Sequence, residues 1–363
     1  MHKGFLSGIP NVREGRRFCE LQFLPYAIVF SLSVFFSFSS ASAQQRIDNV
    51  VFEGAGIRGI AYSGALHVLQ EKGILANVQR VGGTSAGAIT AMALSVGYTP
   101  EEIESIIGNT SFSFLNDGRW SVLGGILRIR SYFGWYRGRA ATRWLGELLE
   151  QKTGNKDITF AQLKQQGYKD LYVTGTCLNK QSLVVFSAEH YPAMKVKDAV
   201  RISMGIPLYF EAIFLDSTGS VIHHPKNKKG LDVFIDGGFV ANYPIHLFDS
   251  TKYFSSGKNG AVVNPFTLGF RIDPPLQAAQ NNIDRSLAQF PTNNLKQYLS
   301  ALYNISIEGL SRPSLTEADW QRTVSISDAG VSPRIRKLKR KVVRGLVRNG
   351  SGATENYFAQ KHK

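Results

Sequence analysis

The sequence VVFEGAGIRG, residues 50–59, places three glycines in the spacing G-x-G-x-x-G directly after a short run of β-branched and aromatic residues. A glycine loop between a strand and a helix can direct backbone N–H groups at an anion, either a diphosphate or the oxyanion of an acyl-transfer reaction. A dinucleotide site also needs an acidic residue at the end of the next strand to bind the ribose hydroxyls. That strand ends here in Gly82-Gly83, and Glu71 falls inside the preceding helical segment. The pattern therefore disfavours a dinucleotide site.

The same strand end offers a candidate nucleophile. It continues into Gly83-Thr84-Ser85-Ala86-Gly87, a G-x-S-x-G sequence. Flanking glycines allow a sharp turn from strand to helix, which exposes the serine hydroxyl at the positive end of the helix dipole. A G-x-S-x-G sequence also occurs by chance, but its position at a strand–helix junction favours Ser85 as a nucleophile.

A nucleophilic serine needs a base, and no histidine of this chain has a setting typical of a triad. The alternative base is a carboxylate. Asp236-Gly237-Gly238 follows the apolar segment DVFI, so Asp236 would lie at a strand end, where active-site groups of α/β sheets gather. Taken alone, D-G-G is more typical of a simple turn. Both interpretations of this motif remain open at this point.

The three motifs in this order resemble those of the patatin-like phospholipase family, in the form of a bacterial-type patatin domain. The segments ITFAQL, DAVRISMGIPLYFEAI and FIDGGFVANYPIHLFD also resemble family segments in the expected sequence. The resemblance covers roughly residues 48–275, with a weaker similarity in NGSGATENYF near the C-terminus. An α/β-hydrolase would place its nucleophile later in the chain and add a triad histidine, so that family fits less well.

The resemblance implies that Ser85 is the nucleophile and Asp236 its general base, a dyad without histidine. It also implies an oxyanion loop, whose backbone N–H groups would face the oxyanion together with that of Ala86. Ala55 departs from the glycine of most members, and Arg58 matches the family's basic residue, with a possible role in packing the loop. The loop residues are Gly54, Ala55, Gly56, Ile57, Arg58 and Gly59. No metal and no cofactor are expected.

The elements that must position these residues have an α/β pattern. Strand, turn and helix occur twice within residues 50–97, with a first helix from Ile60 to about Lys72. Thr99-Pro100-Glu101-Glu102 has the form of a capping box that starts a third helix. Further strands are expected at Leu171–Cys177, Leu183–Phe186, Asp232–Ile235 and Phe266–Arg271. We therefore expect an α/β three-layer sandwich with a mostly parallel central sheet.

The segment after residue 275 has a different pattern. One apolar stripe at helical spacing contains Leu295, Leu299, Leu302 and Ile305, and a second contains Ile335, Leu338, Val342 and Leu346. The sequence thus predicts a catalytic domain at residues 48–275 and a helical, basic C-terminal extension at residues 276–363.

Residues 1–43 have the features of a secretory signal. A basic segment precedes an uncharged, largely apolar stretch at residues 21–45, and Ala41-Ser42-Ala43 is a typical cleavage pattern. We expect an exported protein, periplasmic, at the cell surface or secreted. Because the apolar run is near the length that spans a bilayer, a single-pass membrane anchor is the alternative. Outside this segment Cys177 is the only cysteine, so no internal disulfide is expected.

The positive charge is concentrated at the C-terminus. Residues 332–363 contain ten basic side chains and the single acid Glu355, a net charge of +9 within a total of +15 for 363 residues. A basic amphipathic helix of this kind can lie on an anionic membrane. The alternative is that its apolar stripe packs on the catalytic domain and its cations are simply solvated. Export favours an anionic membrane over nucleic acid as the partner.

A second basic segment lies between Arg119 and Trp144 and has no acidic residue. Tryptophans beside arginines suit docking on an anionic lipid surface. The alternative, favoured for most individual residues, is a helical cover whose aromatic side chains belong to the core. In both cases we expect this face to border the acyl pocket. The side chains are Arg119, Arg128, Arg130, Arg137, Arg139, Arg143, Trp120, Trp135 and Trp144.

The function expected from these features is that of a lipid acyl hydrolase, a serine esterase that cleaves carboxylic esters of phospholipids or other glycerolipids through an acyl-enzyme. An acyltransferase using the same dyad and a catalytically silent lipid-binding module are the alternatives. The sequence leaves open the head-group and position preference, calcium dependence and oligomeric state.

Overall fold

The computed structural model describes residues 46–361 except 111, 119–121, 255–261, 282, 290–291, 296, 299–300, 302–304, 306–311 and 333–335. The expected signal peptide or anchor at residues 1–43 lies outside the described residues. The described residues belong to one compact unit. Within them, no helix combines the length and the apolar character that crossing a membrane requires.

The strands of the described chain form a central sheet and one small sheet. They are β1 (Asn49–Phe52), β2 (Arg80–Gly83), β3 (Gly134–Tyr136), β4 (Asp170–Cys177), β5 (Ser182–Phe186), β6 (Leu208–Phe210), β7 (Ile213–Leu215), β8 (Val221–Ile222), β9 (Asp232–Asp236), β10 (Thr267–Asp273) and β11 (Thr323–Ser327). The four strands expected downstream of residue 170 are present as β4, β5, β9 and β10, with ends within two residues of the predicted ones.

The α-helices of the described chain lie mainly between the strands. They are α1 (Ala61–Glu71), α2 (Ala86–Ser95), α3 (Pro100–Asn109), α4 (Leu123–Tyr132), α5 (Arg139–Thr153), α6 (Phe160–Gln165), α7 (Val196–Ser203), α8 (Gly238–Ala241), α9 (Pro275–Gln280), α10 (Glu317–Gln321) and α11 (Arg340–Lys361). Short 3₁₀ helices occur at Gly56–Ile60, Phe112–Leu115, Ile245–Phe248 and Arg312–Ser314. The predicted capping box at Thr99 is present at the start of α3.

The central sheet is mixed. Its order is β11-β10-β1-β2-β4-β9-β7-β8, and β5 pairs with the remaining edge of β4. Neighbouring strands from β11 through β4 run parallel, whereas the pairings of β5, β7, β8 and β9 are antiparallel. The α/β fold with a central sheet is confirmed. Its parallel pairings are those that join β11, β10, β1, β2 and β4 in this order.

Alternation along β1 shows how the sheet is covered on both faces. Val50 and Phe52 belong to the main apolar core, which they share with α1, α2 and α7, whereas Val51 packs with Tyr172 and Phe248 on the other face. That second face is covered more thinly, in part by the 3₁₀ helix Ile245–Phe248. Successive strand residues point to opposite faces, and because both faces of β1 are covered, Val50, Val51 and Phe52 are all apolar. The buried Asn49 donates to the Thr267 hydroxyl at 3.1 Å.

The C-terminal residues complete the same compact unit. β11 is the edge strand beside β10, a strand that the sequence pattern did not reveal. Val343, Leu346 and Phe358 of α11 are buried. Added Cβ atoms at Gly64 of α1 and Gly350 of α11 would overlap the backbone of the opposite helix. The apolar side of the tail helix therefore packs on α1, and Lys339, Lys341 and Arg344 remain exposed, as the second interpretation of the tail expected. Ile335 of the predicted stripe lies outside the described residues.

The register of β4 brings the two predicted catalytic motifs together. Val173 pairs with both Gly83 of β2 and Phe186 of β5, so β2 and β5 lie on opposite edges of β4. Gly175 pairs with Asp236 of β9 and also with β5, so β9 lies on the same edge as β2. Because β2 is parallel and β9 antiparallel to β4, their carboxyl ends approach each other from opposite directions. Only one β4 position separates them.

Candidate active site

Ser85 lies in the turn between β2 and α2 and has a strained backbone. Its φ is 53° and its ψ is −118°, a region that non-glycine residues rarely occupy. An added Cβ at Gly83 would overlap the backbone of Gly87, and one at Gly87 would overlap that of Phe52. The two glycines of the G-x-S-x-G motif are thus required by the close approach of chain segments. The turn has the geometry of a nucleophile elbow.

The C-terminal end of α7 contacts both motifs. The Ser85 backbone N–H donates to the hydroxyl of Ser203 at 2.9 Å. The Asp236 N–H donates to the carbonyl of Gly205 at 3.0 Å. From the sequence alone, the segment DAVRISMGIP indicates only a similarity to the family. In the structure it is the element that holds the two strand ends in place.

Asp236 is buried, and the Ser85 side chain is close enough to its carboxyl group to lower the pKa of that group. The Gly238 N–H also donates to Asp236 Oδ1 at 2.8 Å. Burial raises the pKa of Asp236 to about 7, although the hydrogen bonds from Gly238 and Ser85 act in the opposite direction. An aspartate with this pKa can accept a proton near neutral pH.

Gly237 and Gly238 of the D-G-G motif have a packing role. A Cβ at Gly237 would overlap Thr174 of β4, and one at Gly238 would come within 3.1 Å of the Asp236 carboxylate. A simple turn would impose no such restriction, so these contacts favour the active-site interpretation of the motif.

The glycine-rich loop lies against the nucleophile elbow. A Cβ at Gly54 would be 3.3 Å from the Cβ of Ser85, and one at Gly59 would be 3.1 Å from that of Ala86. Gly56 has a φ of +56° at the start of the 3₁₀ helix that includes Ile57. The glycine-rich loop therefore lies directly beside Ser85 and Ala86.

The N–H groups of the loop differ in their availability. Gly54 N–H donates to the Asn242 carbonyl at 3.0 Å, and Arg58 N–H donates to the Ala55 carbonyl at 3.3 Å, so neither is available for an oxyanion. In the part of the chain that the structure describes, no acceptor is hydrogen-bonded to the N–H of Gly56 or Ala86. The N–H groups of Ala55 and Ile57 likewise have no acceptor among the described residues, so the candidates for an oxyanion hole are these loop donors, with Gly56 distinguished by its positive φ, together with Ala86.

Arg58 and Ala55 stabilise the loop rather than the reacting atoms. Arg58 Nε donates to the Ala55 carbonyl at 3.0 Å, and its guanidinium pairs with Asp328 at 2.7 Å. Asp328 directly follows β11, so the loop is tied to the edge of the sheet. Ala55 has a φ of −136°, which an alanine adopts without strain. The departure from glycine at this position is therefore compatible with the loop.

A narrow apolar cavity of about 70 Å³ opens beside Ser85. Its walls come from the glycine loop, α2, the 3₁₀ helix Phe112–Leu115 and the segment after α7. The lining residues include Ile89, Ile107, Phe112, Met204, Ile206 and Phe210. A wall of this composition suits a hydrocarbon chain better than a polar substrate.

Four of the five described histidines contact partners away from Ser85, and the fifth, His223, directly precedes His224 in the chain. His67 lies 3.1 Å from Glu101, His224 lies 3.1 Å from Glu211, and His246 lies 3.0 Å from Asp319. His190 contacts Ser187. His362 lies outside the described residues. Asp236 remains the titratable group beside Ser85.

One group among the described residues, His246, Asp249 and Asp319, has the composition of a metal site. The Arg322 guanidinium is within 2.6 Å of Asp319 and also pairs with Asp249. Because this arginine forms ion pairs with both carboxylates, the two aspartates belong to an ion-pair network of the fold.

The region that contains the three motifs matches a known protein family. The model of the family described as "Patatin-like phospholipase" matches residues 50–249, a range that contains all three motifs. The chain belongs to the patatin-like phospholipase family.

Relatives and a solved structure agree with this assignment. The uncharacterized protein YqhO of Bacillus subtilis (strain 168) is 34% identical over 212 residues, which cover 56% of this chain and 67% of YqhO. The probable lipid hydrolase 463L of Invertebrate iridescent virus 6 is 26% identical over 204 residues, covering 54% and 62%. The chain thus spans about two thirds or less of these relatives' length. VipD from Legionella pneumophila matches over 87% of this chain and 67% of its own, with a TM-score of 0.52 and 15% identity, which shows a shared fold.

Proposed function

We propose that the protein is a lipid acyl hydrolase that cleaves carboxylic esters of phospholipids or other glycerolipids. The observation that carries the proposal is the convergence of the Ser85 turn with the buried Asp236, since only one β4 position separates their strand ends and the pKa of Asp236 is raised to about 7. Membership of a phospholipase family and a relative described as a probable lipid hydrolase support lipid as the substrate class.

Acylation is the first half of the proposed reaction. Asp236 accepts the hydroxyl proton while Ser85 Oγ attacks the ester carbonyl carbon, and negative charge develops on the carbonyl oxygen. The N–H groups of Gly56 and Ala86 would stabilise that oxyanion. Collapse of the tetrahedral intermediate breaks the bond to the alcohol, which leaves with the proton from Asp236. The acyl group remains on Ser85.

Deacylation repeats the sequence with water as the nucleophile. Asp236 accepts a proton from the water, the water oxygen attacks the acyl carbon, and the bond to Ser85 Oγ breaks as the proton returns to the serine. A fatty acid leaves and the dyad is restored. One carboxylate therefore serves both halves of the reaction, which explains why no histidine is needed beside Ser85.

Product analysis tests this proposal. The purified protein is incubated with mixed phospholipids and neutral glycerides, and the products are identified by mass spectrometry, with Ser85→Ala as the matched control. Hydrolysis predicts free fatty acid and a lysolipid or partial glyceride that appear only with the wild type. New esters without free fatty acid would indicate an acyltransferase instead. Tight lipid binding without turnover would indicate a silent binding module.

A further inference from the structure

Helix α4 presents a row of large aliphatic side chains to solvent. Leu123, Ile126 and Leu127 are 58%, 53% and 58% exposed, and their i, i+3, i+4 spacing places them on one side of the helix. Isolated exposed aliphatic residues are common on protein surfaces, but a contiguous exposed row on one helix is typical of an interaction site.

The opposite side of α4 is firmly attached to the fold. Gly125 packs on Trp135 so closely that an added Cβ would be 2.6 Å from the ring. The buried Arg128 donates through Nε to the Trp135 carbonyl at 2.7 Å. Trp144 packs edge-on against Phe112 at 5.6 Å. The tryptophans of this segment that the structure describes therefore belong to the cover, and the aliphatic residues of α4 form its outer surface.

Helix α4 is connected to the wall of the Ser85 cavity through β3 and β6. α4 contacts β3, whose first residue Gly134 pairs with Leu208 of β6. Leu208 is 64% exposed and has a φ of 64°, whereas Ile206 and Phe210 on either side line the cavity. The segment 206–210 therefore has exposed and cavity-lining residues within one turn of chain. We refer to Leu123, Ile126, Leu127 and Leu208 as the apolar rim.

Positive charge flanks the apolar rim at the end of α4. Lys228 Nζ lies 5.8 Å from the ring centre of Tyr132 and 5.6 Å from that of Phe133. Lys226 and Lys229 belong to the same loop, and the segment from residue 118 to residue 146 has no acidic residue. We refer to Lys226, Lys228 and Lys229 as the lysine loop. An apolar surface beside clustered lysines complements an anionic lipid interface.

We propose that the apolar rim and the lysine loop dock the protein on an anionic membrane, so that lipid acyl chains enter the Ser85 cavity past Leu208. The proposal rests on the proposed function for its substrate, and it assigns membrane contact to α4 rather than to the basic tail. The buried apolar residues of α11 pack against α1. The side chains of α11 that could contact a membrane are therefore mainly its exposed lysines and arginines.

Vesicle binding by two variants tests the docking surface, in a Ser85→Ala background so that hydrolysis does not interfere. The rim variant combines Leu123→Gln, Ile126→Gln and Leu127→Gln, and the loop variant replaces Lys226, Lys228 and Lys229 with Gln. The apolar control is Leu276→Gln with Ile283→Gln, which are 64% and 76% exposed. The charge control replaces Lys337, Lys339 and Lys341 of the tail with Gln. Binding is measured by co-sedimentation with phosphatidylcholine vesicles with or without phosphatidylglycerol.

The rim variant should bind both kinds of vesicle at least tenfold more weakly. The loop variant should lose affinity only for vesicles with phosphatidylglycerol, by about fivefold for each lysine. Both controls should bind like the parent protein. With Ser85 present, the rim and loop variants should hydrolyse a soluble short-chain ester at the parent rate.

Three results would overturn the docking proposal: rim and apolar-control variants that bind alike, a tail variant that loses as much binding as the loop variant, or a rim variant that converts a dimer to a monomer without affecting vesicle binding. Failure of the proposed function is distinguishable. It would appear as lack of ester hydrolysis by the wild type while rim-dependent vesicle binding persists.

Discussion

The hydroxyl oxygens of Thr84 and Thr174 lie 2.6 Å apart, in the interior of the sheet between the nucleophile and its base. Thr84 directly precedes Ser85, and Thr174 occupies the one β4 position between the partners of Gly83 and Asp236. Thr84 Oγ1 also lies 3.0 Å from the Ala241 carbonyl oxygen, and Thr174 Oγ1 lies 3.5 Å from that of Gly83, so either hydroxyl can be the donor of the pair. This pair fixes the distance between the two converging strand ends.

Thr174 should therefore be a positioning residue. Thr174→Val keeps the shape but removes the hydroxyl, and leaves the Thr84 hydroxyl with one partner fewer in a dry site. We expect kcat for a soluble ester to fall roughly tenfold, because small displacements of reacting groups are costly, with KM nearly unchanged. Thr174→Ser, which retains the hydroxyl, should recover most of the lost rate. Wild-type kcat in folded Thr174→Val would contradict this role.

The dyad itself makes a second prediction. Ser85→Ala and Asp236→Asn should each lower kcat for ester hydrolysis by several orders of magnitude, because the nucleophile and its base act as a unit. Both variants should remain folded, as judged by circular dichroism and thermal unfolding. The histidine controls His67→Ala, His224→Ala and His246→Ala should retain substantial activity. A folded histidine variant as inactive as Ser85→Ala would replace the dyad with a triad.

The pH dependence of the reaction follows from the buried Asp236. Its pKa is raised to about 7, and only the ionised carboxylate can accept the Ser85 proton. The sign is therefore that kcat/KM rises with pH and reaches a plateau above the pKa. One pH unit below the pKa, the ionised fraction and the rate should be about one tenth of their plateau values. Stopped assays with a soluble ester across about pH 5 to pH 9 measure this profile, and a flat profile in that range would exclude Asp236 as the base.

The sequence allowed the fold class and the positions of the motifs to be predicted, but not the strand register that brings the motifs together. G-x-S-x-G and D-G-G have local glycine requirements, which the overlaps at Gly83 and Gly237 now explain. The strands β1, β4 and β9 contain short apolar or β-branched runs and could be located from the sequence, whereas β2 is indicated by the G-x-S-x-G motif that follows it. The meeting of Ser85 with Asp236 could be inferred only from the family resemblance, because their approach depends on the register of β4 with two partner strands, a non-local property.

Features without a local pattern escaped prediction. β11, with the sequence TVSIS, alternates polar and apolar residues over only five positions and lies between two helical stripes. Ser203 and Thr174 bear small hydroxyl side chains whose role appears only when a distant strand end approaches them. The exposed aliphatic row of α4 is masked in the sequence by the neighbouring tryptophans and arginines. The i, i+3, i+4 spacing of Leu123, Ile126 and Leu127 is the signal that indicates it.

The oxyanion loop makes a fourth prediction. Gly56 has a φ of +56°, so Gly56→Val would strain the backbone and turn the N–H away from the oxyanion. Loss of one such donor typically costs about 3–4 kcal/mol of transition-state stabilisation. Pre-steady-state measurements should show the loss in the acylation rate, with little change in substrate affinity. Gly73→Val is a suitable control, because Gly73 also has a positive φ but follows α1. Equal acylation rates in wild type and Gly56→Val would place the oxyanion hole elsewhere.

The contact between α1 and α11 makes the last prediction, which concerns whether the tail helix is part of the catalytic unit. An added Cβ at Gly350 would overlap the carbonyl of Ala61, whereas one at Gly352, on the same helix, would meet no atom within 4 Å. Gly350→Ala should therefore destabilise the protein by about 1–3 kcal/mol, because the helices must separate to accommodate the methyl group. Gly352→Ala should leave stability unchanged or raise it by up to about 1 kcal/mol, since alanine favours a helix over glycine.

Urea unfolding followed by circular dichroism measures both variants, with ester hydrolysis as a second probe of the same transition. If α11 supports α1, the loss of activity and the loss of helix should coincide in Gly350→Ala, because α1 directly continues the oxyanion loop. Unchanged stability of Gly350→Ala would mean that the tail helix leaves α1 in solution. The second interpretation of the basic tail would then fail, and a membrane role for α11 would have to be considered again.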